Sequence, residues 1–180
     1  MFRQISCLEK SQLDLLINNS FNSFVYKTIL VPHAGTEAGD EALKHAIHIA
    51  KSSSSKIVIL HIVEEISHPM TFALADSERE RLRASIKEAN ESIRKDMEKA
   101  MQKKIEMCKK QGIQVESHVV TGNAAEHIID LVKENGVDLV VMAKRRKLKG
   151  VKKLLTLGSV SRKVVENVTC AVLLIDIEKL

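Results

Sequence analysis

The segment from Met142 to Ser161 combines residue types that together bind anions. It leaves an apolar stretch through Lys144-Arg145-Arg146-Lys147, continues through Lys149, Lys152 and Lys153, and ends on Gly158-Ser159-Val160-Ser161, where a helix is predicted to begin. Backbone N–H groups at a helix start and the positive end of its dipole favour phosphate, and Lys and Arg add formal charge. Seven Lys or Arg and no acid fall between Lys144 and Lys153, so the net charge of +5 is a local patch and the remaining chain carries −2.

Other chemistry is less well supplied. His45 and His48 stand at i, i+3, and His33 and His61 both fall near the predicted ligand edge, but no third or fourth ligand joins either pair at metal-binding spacing. Solvent-facing or core-satisfied histidines are the plainer reading, and no metal site is expected. Ser159 and Ser161 lack a nucleophile-elbow pattern, and no Ser, His and acid converge, so no catalytic residues are assigned and an enzyme is not expected. Glu64-Glu65 reads as an acidic loop. The basic loop 144–153 allows weak, salt-dependent nucleic-acid binding, but only 3% of residues are aromatic, none beside that loop, so nucleic acid is disfavoured as a partner. Cys7, Cys108 and Cys170 are odd in number and widely spaced, as in a reduced compartment. With no apolar run near the roughly 20 residues that span a bilayer and no secretory leader pattern at the start, the expectation is a cytoplasmic protein without a membrane partner.

The elements that must position these residues follow from hydrophobic periodicity. Thr28–Val31, Ile57–Val63, Val115–Val120, Asp138–Met142 and Ala171–Ile175 are predicted strands. Between them, Ala42, Leu43, Ala46, Ile47 and Ala50 recur at helical spacing, with Ser52–Ser55 as the break. A long helix is predicted from Ser77 to about Gln111, and shorter ones begin at Gly122-Asn123 and near Ser159, the last ending near Asn167. Alternating helices and strands apolar on both faces imply an α/β three-layer sandwich around a parallel, doubly wound sheet. Ligands of such sheets sit beyond the strands' carboxyl ends, where Pro32–Thr36, His61–Glu65, Thr121–Asn123 and Met142–Gly150 converge. Residues 1–25 stand outside the alternation and are read as an N-terminal arm, either docking on a partner subunit or frayed, ahead of one domain over 26–180.

Tyr26-Lys27-Thr28-Ile29-Leu30-Val31-Pro32, Leu60-His61-Ile62-Val63, Val119-x-x-Gly122, Asp138–Met142 and Gly158-Ser159-Val160-Ser161 stand in an order that resembles the universal stress protein family over about residues 26–176. The resemblance implies a five-stranded sheet of order 3-2-1-4-5, of the adenine nucleotide alpha hydrolase-like kind, and a homodimer through the last strand. It also implies a stress-linked, non-enzymatic regulatory or binding module, in a family with ATP-binding and non-binding branches. The binding branch carries an Asp after the first strand and a Gly-x-x-Gly, nine residues, Gly-[Ser/Thr] signature. Here the Asp position is Ala34, the paired glycines become Ala143 and Arg146, and eleven residues separate Arg146 from Gly158. The resemblance therefore assigns Pro32, His33, Ala34, Ile62, Met142, Ala143, Arg146, Gly158, Ser159, Val160 and Ser161 to a candidate site for ATP or another adenine nucleotide with Mg. Pro32, His33, Ile62 and Met142 would line its adenine side. The alternatives are a module that dimerises or interacts without a nucleotide, and a weak nucleic-acid binder.

Overall fold

A computed structural model of the protein describes residues 26–63, 75–144 and 157–176. The arm 1–25, Glu64-Glu65 and the basic loop from Arg145 onward, Arg146 included, lie outside the described residues.

The elements are β1 (Thr28–Pro32), α1 (Glu37–Ser53), β2 (Lys56–Val63), α2 (Asp76–Lys110), β3 (Val115–Thr121), α3 (Ala124–Glu134), β4 (Leu139–Lys144), α4 (Ser159–Asn167) and β5 (Ala171–Asp176). All five strands are parallel, in the order β3-β2-β1-β4-β5. Period-2 alternation splits the central strands into two cores. Ile29, Val31, Ile57, Ile59, Leu139 and Val141 face one layer with Ala42, Leu43, Ala46, Met101 and Cys108. Leu30, Val58, Leu60, Val140 and Met142 face the other with Ile128, Val132 and Val164. Small alanines on α1 let its axis approach β1 and β4 closely, which fixes where α1 begins above the carboxyl edge.

Polar side chains stitch the strand starts. The carboxylate of Asp138, one residue before β4, accepts from the backbone N–H groups of Lys27 and Thr28 at 2.8 and 2.9 Å. It thus pins β1 to β4 beside the switch in strand order. At the end of α1, Ser53 Oγ donates to the Ile49 carbonyl at 2.8 Å, and the buried Ser55 donates to the Tyr26 carbonyl at 2.5 Å. The predicted serine break is therefore also a clamp on the entry to β1.

At 35 residues, α2 is about 50 Å long, roughly twice the length of an eight-residue strand. Only its second half can cover the sheet, so Met101 and Cys108 are buried while Leu82, Ile86 and Ile93 are only half-buried. The sheet's two edges differ. On β3 the exposed Glu116 and His118 alternate with half-buried neighbours, and Glu116 pairs with Lys56 at 2.7 Å. On β5, Val172, Leu173 and Leu174 are half-buried and apolar.

Candidate functional site

Parallel pairing brings the ends of all five strands to one edge. Pro32 lies opposite Leu60, Val63 opposite Thr121, and Met142, Ala143 and Lys144 opposite Leu174, Ile175 and Asp176. The start of α4 reaches the same edge because its Val160 packs on the core cluster that contains Met142.

The α4 start differs from the other helix starts among the described residues. Thr36 caps α1 by accepting from the Gly39 N–H, and Asn123 caps α3 by accepting from Ala125 and Glu126. The Glu78 carboxylate reaches back to the Ala75 N–H at the start of α2. At α4 the capping residue is Gly158, no side chain caps, and the first turn holds no acid. Arg162 N–H makes the first ladder bond, to the Gly158 carbonyl at 3.0 Å. The N–H groups of Ser159, Val160 and Ser161 precede that ladder, and such groups together with the helix dipole favour an anion.

A second cluster lies between β1, β2, α1 and α2. His33 follows β1 and is 2% exposed. Its Nδ1 accepts from the Gly35 N–H at 3.0 Å, so the other nitrogen, Nε2, carries the proton and donates to Asp40 Oδ1 at 3.0 Å. Lys104, from α2, donates to the same Asp40 oxygen. His61 lies alongside at 4% exposure, with its Nδ1 buried and without a hydrogen-bond partner. A Cβ on Gly39 would meet the His33 ring at 2.9 Å, and one on Gly35 would meet His61 Cε1 and Met97 Sδ at 3.5 Å.

The electrostatics follow from burial. Loss of water lowers the His33 pKa more than the Asp40 hydrogen bond raises it, with Lys104 adding to the depression. His61 is lowered by burial too. Burial pushes the Asp40 carboxyl up, but bonds from Lys104 and His33 and the Lys104 charge outweigh it, and the net shift is downward. The cluster therefore holds two neutral imidazoles over a carboxylate–ammonium pair.

Not every residue assigned from the sequence faces open space. Ala34 is exposed, Pro32, Ile62 and Ala143 are half-buried, and Gly158 and Ser159 stand at the α4 start. His33 is enclosed and turned towards α1, Met142 is buried in the core, and Val160 and Ser161 turn inward, Ser161 to 4% exposure. His33 thus supports the β1–α1 loop from beneath. Lys144, the first cation of the basic run, is drawn to Asp176 on β5 at 3.8 Å. His45 and His48 are exposed, and no group of three or more metal-ligating side chains occurs among the described residues.

Asp40 and Lys104 were not singled out from the sequence. The signal was present for Lys104, which interrupts the apolar face Ala100, Met101, Ile105, Cys108; a charge on a buried stripe implies a partner. Asp40, in the first turn of α1, looks like an ordinary dipole-favoured acid and gives no such sign.

Comparison with known proteins agrees with this geometry. The model of the universal stress protein family matches residues 25–176. Among curated relatives, universal stress protein YxiE of Bacillus subtilis is 30% identical over 154 residues, covering 84% of this chain and 99% of its own length. Universal stress protein MJ0531 of Methanocaldococcus jannaschii is 28% identical over 163 residues, covering 91% and 88%. Among solved structures, UspA from Lactobacillus plantarum superposes with a TM-score of 0.67 at 20% identity, covering 83% of this chain and 97% of that one. A universal stress protein in complex with cAMP gives 0.53 at 22%, covering 84% and 98%. One from Arabidopsis thaliana with AMP bound gives 0.50 at 19%, covering 83% and 91%.

Proposed function

Because the chain belongs to the universal stress protein family, we propose that it is a non-enzymatic binding module that takes an adenine nucleotide or another phosphate ligand at the carboxyl edge of its sheet. The observation that carries this reading is the α4 start, with Gly158 as cap, no capping side chain and no first-turn acid; in the sequence the basic run Lys144–Lys153 comes shortly before it. The complexes with cAMP and AMP in proteins of the same fold support the ligand class. The donors fit phosphate better than they fit a carboxylate-held Mg ion, because Ala34 offers no oxygen ligand and Asp40 is engaged by His33 and Lys104. Positive charge takes over part of what Ala143 and Arg146 cannot supply as glycines.

The test is to denature purified protein, identify any released nucleotide, and titrate ATP with and without Mg by calorimetry. Release of an adenine nucleotide, or heat in either titration, is expected; the absence of both would end the nucleotide reading. Changing Arg145, Arg146 and Lys147 together to Ser is expected to weaken ATP binding at low salt about tenfold or more while the unfolding midpoint stays put. An unchanged affinity would remove the loop from the site.

We further propose a cytoplasmic homodimer joined through β5. An apolar edge strand that carries Val172, Leu173 and Leu174 is a pairing hazard unless covered, and a second copy covers it by the same surface. Light scattering at micromolar concentration is expected to give twice the chain mass of 20.1 kDa; a monomer would refute the interface.

A further inference from the structure

We propose that the neutral ring of His33 latches the β1–α1 loop, through the bond its Nδ1 accepts from the Gly35 N–H, and that protonating this ring releases the loop and weakens ligand binding at the carboxyl edge. The ligand half rests on the function proposed above; the latch itself does not.

The geometry leaves His33 one protonation state. Nδ1 accepts from Gly35 at 3.0 Å, and Nε2 faces the Asp40 carboxylate at 3.0 Å, so the ring is the neutral Nε2–H tautomer. A second proton has only Nδ1 to occupy. There it would point at the Gly35 N–H, donor against donor, and the bond would be lost. The ring cannot swing clear: it is 2% exposed, Gly39 lies against one side with no room for a Cβ, and Asp40 holds its tip. The loop must yield instead, and that loop carries Ala34, Gly35 at φ +70° and Thr36, the cap of α1. These residues follow β1 directly, at the same carboxyl edge of the sheet where the α4 start lies, so moving them is proposed to alter the site while its backbone donors on α4 stay in place.

The charged and titratable groups that act on the ring come from three elements. Asp40 on α1 favours protonation, while Lys104 on α2 and His61 on β2 oppose it. Asp40 is shared with Lys104, which divides its pull, and burial opposes the charged ring as well. The proton is therefore taken up only below the usual histidine range, and the latch holds at neutral pH. His61 is itself buried at 4% exposure, so the neighbouring ring gives the His33 charge no solvent to turn to.

The test uses the full chain labelled with 15N at histidine and glycine, titrated from pH 8 down to the onset of acid unfolding by NMR. The His33 ring nitrogens and the Gly35 amide are expected to titrate with one midpoint, the amide losing its exchange protection as the ring charges. His33→Asn, whose Oδ1 stands near the place of Nδ1 but does not titrate, is expected to keep Gly35 protected throughout. ATP calorimetry at each pH is expected to lose about tenfold in affinity per unit below the midpoint, beyond the loss that ATP's own protonation causes in the Asn variant. A ring that stays neutral until the protein unfolds in acid, or a Gly35 amide indifferent to its charging, overturns the latch, and the wild-type titration decides this even if the variant does not fold. Equal affinity losses in the two proteins overturn the link to the site. Absence of ATP binding at every pH, with the Gly35–His33 coupling intact, defeats the nucleotide reading and leaves the latch standing.

Discussion

Replacing Gly39 by Val is expected to destabilise the protein by about 3 kcal/mol, with Gly39→Ala costing about 2 kcal/mol. The sign is the informative part. Gly39 sits in the first turn of α1 and has no left-handed φ, so ordinary helix propensity would make Ala the better residue by about 1 kcal/mol. Against that stands the His33 ring, whose Cε1 and Nε2 would lie 2.9 Å and Cδ2 3.0 Å from the new Cβ. A flexible side chain could step aside, but this ring is buried and tied at both nitrogens. Accommodating the methyl therefore breaks the bond to the Asp40 carboxylate or shifts the start of α1. The double mutant isolates the cause. In a His33→Ala background the obstruction is gone, and Gly39→Ala is expected to stabilise that variant relative to His33→Ala alone. Urea unfolding midpoints of the four proteins decide it, and a stabilising Gly39→Ala in the wild-type background would show that the ring moves freely.

That contact illustrates what could and could not be read from the chain. The alternation of doubly apolar strands with amphipathic helices is a local property, and each strand and helix of the sheet stands within a residue or two of its sequence-based position. Asp138 is an instructive departure: assigned to the fourth strand with its apolar neighbours, it precedes the strand and spends its carboxylate on the N–H groups of Lys27 and Thr28. The strand order 3-2-1-4-5 came from resemblance, since the alternation itself fixes only a doubly wound parallel sheet. At the site, the Gly158 cap was legible because helix starts have a short-range signature. The role of His33 was not. Its environment depends on Lys104, which is 64 residues from Asp40 and reaches it only because α2 folds back across the sheet. Long-range pairing of this kind leaves one trace in a single sequence, a charge in an apolar stripe, and that trace names no partner.

The same buried imidazoles make the fold acid-sensitive before its carboxylates titrate. Burial lowers the pKa of both His33 and His61 in the folded protein, so between those values and the unfolded value near 6.5 the unfolded chain binds more protons than the native one. Stability must then rise with pH through this window. It is fully present above about pH 6.5 and is lost as pH falls, by up to about 1.4 kcal/mol per pH unit for each histidine that remains neutral in the fold. Two such groups allow a slope approaching twice that, large against the total stability of about 5–15 kcal/mol of an ordinary domain. Asp40 works in a lower range. Its net shift is downward, so its contribution is present above its usual pKa near 3.8 and is lost only as pH drops through the lowered value; with the carboxylate 44% exposed, solvent screens much of it. A fall in the urea midpoint between pH 7 and pH 5 is therefore histidine-driven in this account. Substituting both rings, His33→Asn with His61→Asn, is expected to flatten the profile over that interval even though the variant is less stable at pH 7. A wild-type midpoint that does not move from pH 7 to pH 5 would mean that the two rings are not held neutral, and the enclosure of His33 by Gly39, Asp40 and Lys104 would have lost its energetic consequence.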